Sequence, residues 1–155
     1  MLKSKIAQGF SPGMLLAIFV VIQFFRPAKN QDSQQDATQD IATIYPMPDS
    51  VQHMMQLACY DCHSNHTRYP WYAEIQPVGW LLNKHVQEGR QELNFQEYGK
   101  YSFRRQRNKL KRMKEQITAG KMPLSSYTLL HPEARLTPAQ KQAILTWIDS
   151  TLTKI

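Results

Sequence analysis

The pentapeptide Cys59-Tyr60-Asp61-Cys62-His63 holds both cysteines of this 155-residue chain. Two thiols three positions apart, followed directly by an imidazole, constrain the fold more than any other stretch. Such a C-x-x-C-H run reads as the attachment site of a c-type haem. Each thiol can add to one of the two vinyl groups of the porphyrin, and His63 then lies under the iron as proximal ligand. The surrounding chain must wrap a large apolar object, which in turn supplies core that a domain of this size needs.

Two other chemistries use the same residues. Cys59, Cys62, His63 and His66 offer four nitrogen or sulfur ligands within eight positions, but tetrahedral zinc sites usually draw on separated knuckles, and neighbours such as Cys62 and His63 reach one ion poorly. A thioredoxin-like redox pair needs a strand before the cysteines and a βαβ context, and no such pattern surrounds them. With both thiols committed to thioethers, no disulfide remains to brace the fold.

Ile6 to Phe25 is a mostly apolar segment behind Lys3 and Lys5. Twenty helical residues rise about 30 Å, just enough for a bilayer core. A cleaved signal peptide is the competing reading. The sequence that follows, Phe24-Phe25-Arg26-Pro27-Ala28-Lys29, lacks a small-x-small cleavage site, which favours an uncleaved signal anchor over residues 1–29. Residues 30–40 (NQDSQQDATQD) are polar and without aromatics, as in a flexible linker. The domain proper is then 41–155.

Within it the periodicity is helical. Asp49 or Ser50 can cap a helix whose apolar positions Val51, Met54, Met55 and Ala58 run into Cys59. Pro70, Trp71, Tyr72 and Pro77 mark turns and loop, and Trp80 to Gln91 is helical in pattern. Phe103 to Ala119 places Phe103, Leu110, Met113 and Ile117 on one stripe, with Gly120 as the stop. The last helix opens with Thr137 as cap, Pro138 in the first turn and Gln140 completing a capping box. Its stripe of Ile144, Trp147, Ile148 and Leu152 requires an apolar partner, for which the helix over Val51–Ala58 is the obvious candidate.

The formal net charge is +7, and from Lys100 to Lys114 there are eight basic residues and no acidic one. Such a run is commonly a solvated helix face. Its functional readings are an acidic redox partner, haem propionates, or anionic lipid head groups. Nucleic acid is not expected for an exported, tethered domain.

A helix entering C-x-x-C-H, a Gly-x-Met-Pro segment after a later helix, and a terminal amphipathic helix with a Trp resemble the cytochrome c superfamily. The chain resembles still more closely a bacterial family of membrane-anchored single-haem proteins, the haem-binding domain family. The residues carrying this likeness include Cys59-Tyr-Asp-Cys-His63, Asn65, Tyr69-Pro-Trp-Tyr72, Pro77, Trp80, His85-Val86, Glu88-Gly-Arg90, Leu93-Asn-Phe95, Met122-Pro-Leu124, Ser126-Tyr127 and the helix from Leu136 to Ile148. The resemblance implies an all-α fold: a small cytochrome c-like helical domain around one covalent haem c, preceded by an N-terminal membrane helix. It also implies a haem domain in the periplasm, tethered to the inner membrane by a single pass.

In cytochromes c of this build the distal ligand is a Met that follows a helix and a glycine, a place Met122 fills. His85 is the main rival, His131 a further one, and an open site remains. His66 is too near His63 to reach the opposite face, while His53 and Met113 read as surface and core. The other ring nitrogen of His63 needs an acceptor, for which the resemblance suggests the carbonyl of Pro77 or Pro70. Trp71, Tyr72, Trp80 and Tyr127 are candidates to line the porphyrin. The function expected is single-electron transfer to a redox partner, acidic or a respiratory complex, without substrate chemistry of its own. The alternative is a haem-based sensor or peroxidase-like protein, with His85 and Arg90 as a conceivable distal pair.

Overall fold

The structure is a computed structural model that describes residues 11–32 and 36–155. Eight α-helices follow one another among these residues: α1 (Pro12–Ile22), α2 (Ile41–Ile44), α3 (Asp49–Ala58), α4 (Tyr60–His63), α5 (Val78–Glu92), α6 (Phe103–Thr118), α7 (Ser125–Leu130) and α8 (Pro138–Leu152). Strand pairing among them is confined to one antiparallel bridge, Gln31 with His66, so the fold is all-α as expected. The chain divides into two compact units: Met1–Ala28 with Tyr69–Lys84, and Lys29–Arg68 with His85–Ile155.

In the first unit, α1 begins where two start signals coincide. Ser11 Oγ accepts from the Met14 N–H at 3.3 Å, and Pro12 occupies the first turn, where its missing N–H costs nothing. The helix therefore covers eleven residues, about 17 Å at 1.5 Å per residue, rather than the twenty read from Ile6. No helix among the described residues is long and apolar enough to cross a membrane. Residues 1–10, in which the expected span begins, lie outside the described residues. No residue of α1 is buried, although it is apolar all round. Beyond it, Gln23 and Gln76 exchange two hydrogen bonds: the Gln76 N–H donates to Gln23 Oε1 at 2.9 Å, and Gln23 Nε2 donates to the Gln76 carbonyl at 3.1 Å. Trp80 Nε1 donates to the Phe25 carbonyl at 2.7 Å.

The second unit is built on α3, α6 and α8, whose apolar stripes meet around Val51, Met55, Leu110, Ile117, Ile144 and Ile148. α8 carries the predicted cap in full, Thr137 Oγ1 accepting from Gln140 N–H while the Gln140 side chain accepts from Thr137 N–H. Its apolar stripe finds α3, as expected, and α6 as well.

Two local expectations are corrected. α3 takes Asp49 and Ser50 inside its first turn, with Pro48 at the cap position and no side-chain cap bond. On α6 the buried stripe is Gln106, Leu110, Met113 and Ile117, while Phe103 is 75% exposed. Gln106 is admitted to the interior because its polar atoms are satisfied there. Its Nε2 donates to the Tyr101 carbonyl at 2.9 Å, its Oε1 accepts from Tyr45 Oη at 2.8 Å, and its carbonyl accepts from Tyr98 Oη at 2.7 Å.

The segment read as a polar linker makes specific bonds. Asn30 is buried and its Nδ2 donates to the Ser64 carbonyl and to Thr67 Oγ1, each at 2.9 Å. Ala37–Gln39 forms a 3₁₀ turn capped by Asp36.

Candidate functional site

α3 stops at Ala58 because Cys59 leaves helical geometry (φ −129°, ψ −42°), and the chain restarts at once as the single turn α4. The Cys59 carbonyl accepts from the N–H groups of Cys62 and His63 at 3.2 and 3.0 Å. This break-and-restart turns Cys59, Cys62 and His63 toward one cleft of about 260 Å³. Opposite them, α5 contributes His85, Glu88, Gly89 and Glu92, a set spaced i, i+3, i+4, i+7 and therefore on one helix face. Met122, Pro123, Leu124 and Tyr127 complete the lining. A second hollow of about 400 Å³ shares Cys59, His63, Glu92 and Met122, and extends along α6 past Met113 and Ile117.

His63 is positioned by its Nδ1–H, which donates to the Leu93 carbonyl at 2.9 Å. That bond selects the tautomer and leaves the Nε2 lone pair available to a metal. Burial pulls its pKa below the ordinary histidine value, so the ring stays neutral, the form that ligates. Phe95 packs at 5.7 Å between ring centroids, and Tyr60 stacks on Phe95 at 5.0 Å. The acceptor is thus Leu93 and not the proline carbonyl of Pro77 or Pro70 suggested by resemblance. Both prolines belong to the first unit, whereas Leu93 follows α5 and its own N–H is tied to the Gly89 carbonyl at 2.9 Å.

Gly89 permits the close approach of α5 to the cysteine turn. A Cβ there would lie 2.5 Å from the Cys62 carbonyl oxygen and 3.2 Å from Cys62 Cβ. A glycine inside a helix costs about 1 kcal/mol against alanine, a cost that this contact explains. Asp61, between the cysteines, is buried and anchors the turn. It accepts from Tyr127 Oη at 2.7 Å and from Arg68 Nε at 3.0 Å.

Both thiols are shifted away from the thiolate form. Burial, with the neighbouring Cys62 adding to it, pushes Cys59 up to about 12, and burial together with Asp61 pushes Cys62 to about 11. Reactive cysteines are depressed, not raised. Among the described residues no three His, Cys, Asp or Glu side chains form a metal-ligating group, so Cys59, Cys62, His63 and His66 are not gathered around one point. A neutral imidazole, a thioether and two protonated thiols around a largely apolar cleft form a donor set that fits a haem.

His85 shares the cleft with Met122. His131 instead stacks on Tyr127 at 4.4 Å, with Nδ1 3.0 Å from Glu133. Arg90 donates to Asn65 Oδ1 at 2.8 Å and is not among the residues lining the cleft, unlike His85. His53 is exposed and Met113 is in the core, as expected. Of the aromatic candidates Tyr127 lines the cleft, while Trp71, Tyr72 and Trp80 belong to the first unit. Spacing along the chain assigned no role to Glu92 or to the Leu93 carbonyl. The glycine in Glu88-Gly-Arg90 was the one signal pointing to this side of α5.

A family model described as a haem-binding domain matches residues 17–150. No curated protein and no solved structure matches the chain.

Proposed function

The chain belongs to the haem-binding domain family and binds haem, and from this premise we propose that it is a membrane-anchored monohaem c-type cytochrome that transfers single electrons outside the cytoplasm. The observation that carries this reading is that Cys59, Cys62, His63 and Met122 border one cleft. Cys59 and Cys62 would hold the haem as thioethers, and His63 and Met122 would ligate its iron. The haem supplies a one-electron iron couple whose potential a thioether ligand raises.

The protein's own groups then have defined tasks. The Leu93 carbonyl holds the His63 ring, and Phe95 and Tyr60 fill the space behind it. The apolar walls would limit water around the bound iron, and exposed Arg104 and Arg107 on α6 offer a positive face to an acidic partner. Anchoring is supported by the apolar run from Ile6 to Phe25 and by exposed Phe24 and Phe25. Periplasmic location rests on where bacterial haem attachment occurs.

Protein matured with haem-attachment machinery should retain its haem through acid-acetone extraction and give a pyridine haemochrome of c type. Its oxidised spectrum should carry the far-red band associated with methionine ligation, and Met122→Ala should abolish that band and lower the potential. An unchanged spectrum in Met122→Ala would remove Met122 from the iron. A sensor with a displaceable distal ligand draws support from His85 and Glu88 on the same cleft wall, and binding of CO by the reduced wild-type protein would favour it.

A further inference from the structure

The hollow on the α6 side of the cleft holds a cation that is unusually sheltered for a surface helix. The Lys109 side chain is 12% exposed, against 68% for Arg112 one turn on. Both reach the same oxygen, Glu92 Oε2, at 3.8 Å from Lys109 Nζ and 3.3 Å from Arg112 Nη1. Burial pulls Lys109 below the ordinary lysine value, and Glu92 offsets this only in part. A further anion would complete the compensation.

An adjoining outer hollow shares Lys109, Arg112 and Glu115 with it and brings in Arg105 and Lys111. Over the two hollows four cations, Arg105, Lys109, Lys111 and Arg112, face two carboxylates, Glu92 and Glu115, an excess of two positive charges. The two vinyl groups of a haem lie on one edge of the macrocycle and its two propionates on the other. Cys62 lines only the first hollow, Lys109 and Arg112 line the second and the outer one but not the first, and Cys59 lines the first and the second. We propose that Lys109 and Arg112 bind the haem propionates on the α6 side of the cleft, with Glu92 orienting the two cations. The inference rests on the covalent-haem reading above. It divides the basic helix into an inward face for the cofactor and an outward one, including Arg104 and Arg107, for a partner. A docking lysine would extend into solvent, which Lys109 does not.

The test compares the matured holoprotein with Lys109→Gln, Arg112→Gln, the charge-keeping Lys109→Arg, and Arg107→Gln, an equal charge loss on the same helix outside both hollows. Removing a neighbouring cation raises a carboxylate's pKa by about one pH unit or more. The pH dependence of the midpoint potential should therefore move upward by that amount in Lys109→Gln, a roughly tenfold gain in proton affinity. The propionate bending band in resonance Raman should shift as well, with Arg107→Gln unchanged and Lys109→Arg restored. Arg112→Gln should act in the same direction should Lys109→Gln mature poorly. Equal shifts in Lys109→Gln and Arg107→Gln, or none in either, would overturn the propionate site while leaving covalent haem standing. A wild-type protein without covalent haem would overturn the reading beneath it and the site together.

Discussion

His63 and Met122 border the same cleft, yet different forces put them there. The imidazole is bonded to the Leu93 carbonyl 30 residues away, packed on Phe95 and backed by Gly89 against Cys62. Next to it, Asn65 accepts from Arg90 Nη2 and from Asn94 Nδ2, and its N–H donates to Gln96 Oε1 at 2.7 Å. Met122 owes its place to how a helix ends. Gly120 adopts φ 66°, the left-handed residue after α6, and the N–H groups of Lys121 and Met122 fold back on the Gln116 carbonyl at 2.9 and 3.3 Å. A side chain with three rotatable bonds then spans what remains. The His63 side of the cleft is thus over-determined by tertiary contacts, and the Met122 side is set by local backbone and a compliant thioether.

The sharpest way to break this contrast is Gly89→Ala. Helix propensity alone would make alanine stabilising by about 1 kcal/mol, but the added Cβ overlaps the Cys62 carbonyl. Overpacking should destabilise the holoprotein by about 1–3 kcal/mol in denaturant titration and lower the covalent haem yield. Wild-type stability and yield would show that α5 and the cysteine turn can part freely.

Gly120→Ala is the matching test on the Met122 side. Nothing lies within 4 Å of its Cβ position, so the cost is backbone strain alone, about 1 kcal/mol. Haem attachment, read by haem stain, should be untouched. A loss of attachment like that of Gly89→Ala would erase the difference between the two sides.

The smallest effect emerges only in alkali. Burial raises the phenols of Tyr60 and Tyr98, the first helped by Asp40 and the second by Tyr45 and Tyr101. An acid whose folded pKa is raised keeps its proton when the unfolded chain has lost it, so stability falls as pH rises through about 10. Urea titrations of the holoprotein should show this decline, and Tyr60→Phe should make it shallower. A slope that Tyr60→Phe leaves unchanged would release Tyr60 from the proximal packing.

Legibility in the sequence followed the range of each interaction. The cap of α8, the stop of α6 at Gly120, and the helix running into Cys59 are local, and each was readable because the deciding residues are neighbours. Phe103 and Gln106 exchanged roles because helical spacing identifies a face without saying how far the partner extends along it. Gln106 is buried only because Tyr45, Tyr98 and Tyr101 converge on it. Leu93 was invisible for a different reason: the acceptor is a backbone carbonyl, which every residue carries.

By itself the sequence determined that Cys59, Cys62 and His63 stand together on one chain segment, and it determined the helical class through periodicity and caps. The tertiary structure decided which nitrogen of His63 is left for a metal, which methionine and histidine share its cleft, and that Lys109 is the sheltered lysine of α6. Those choices depend on distances between segments far apart in the chain, and no residue pattern encodes them until the core has closed.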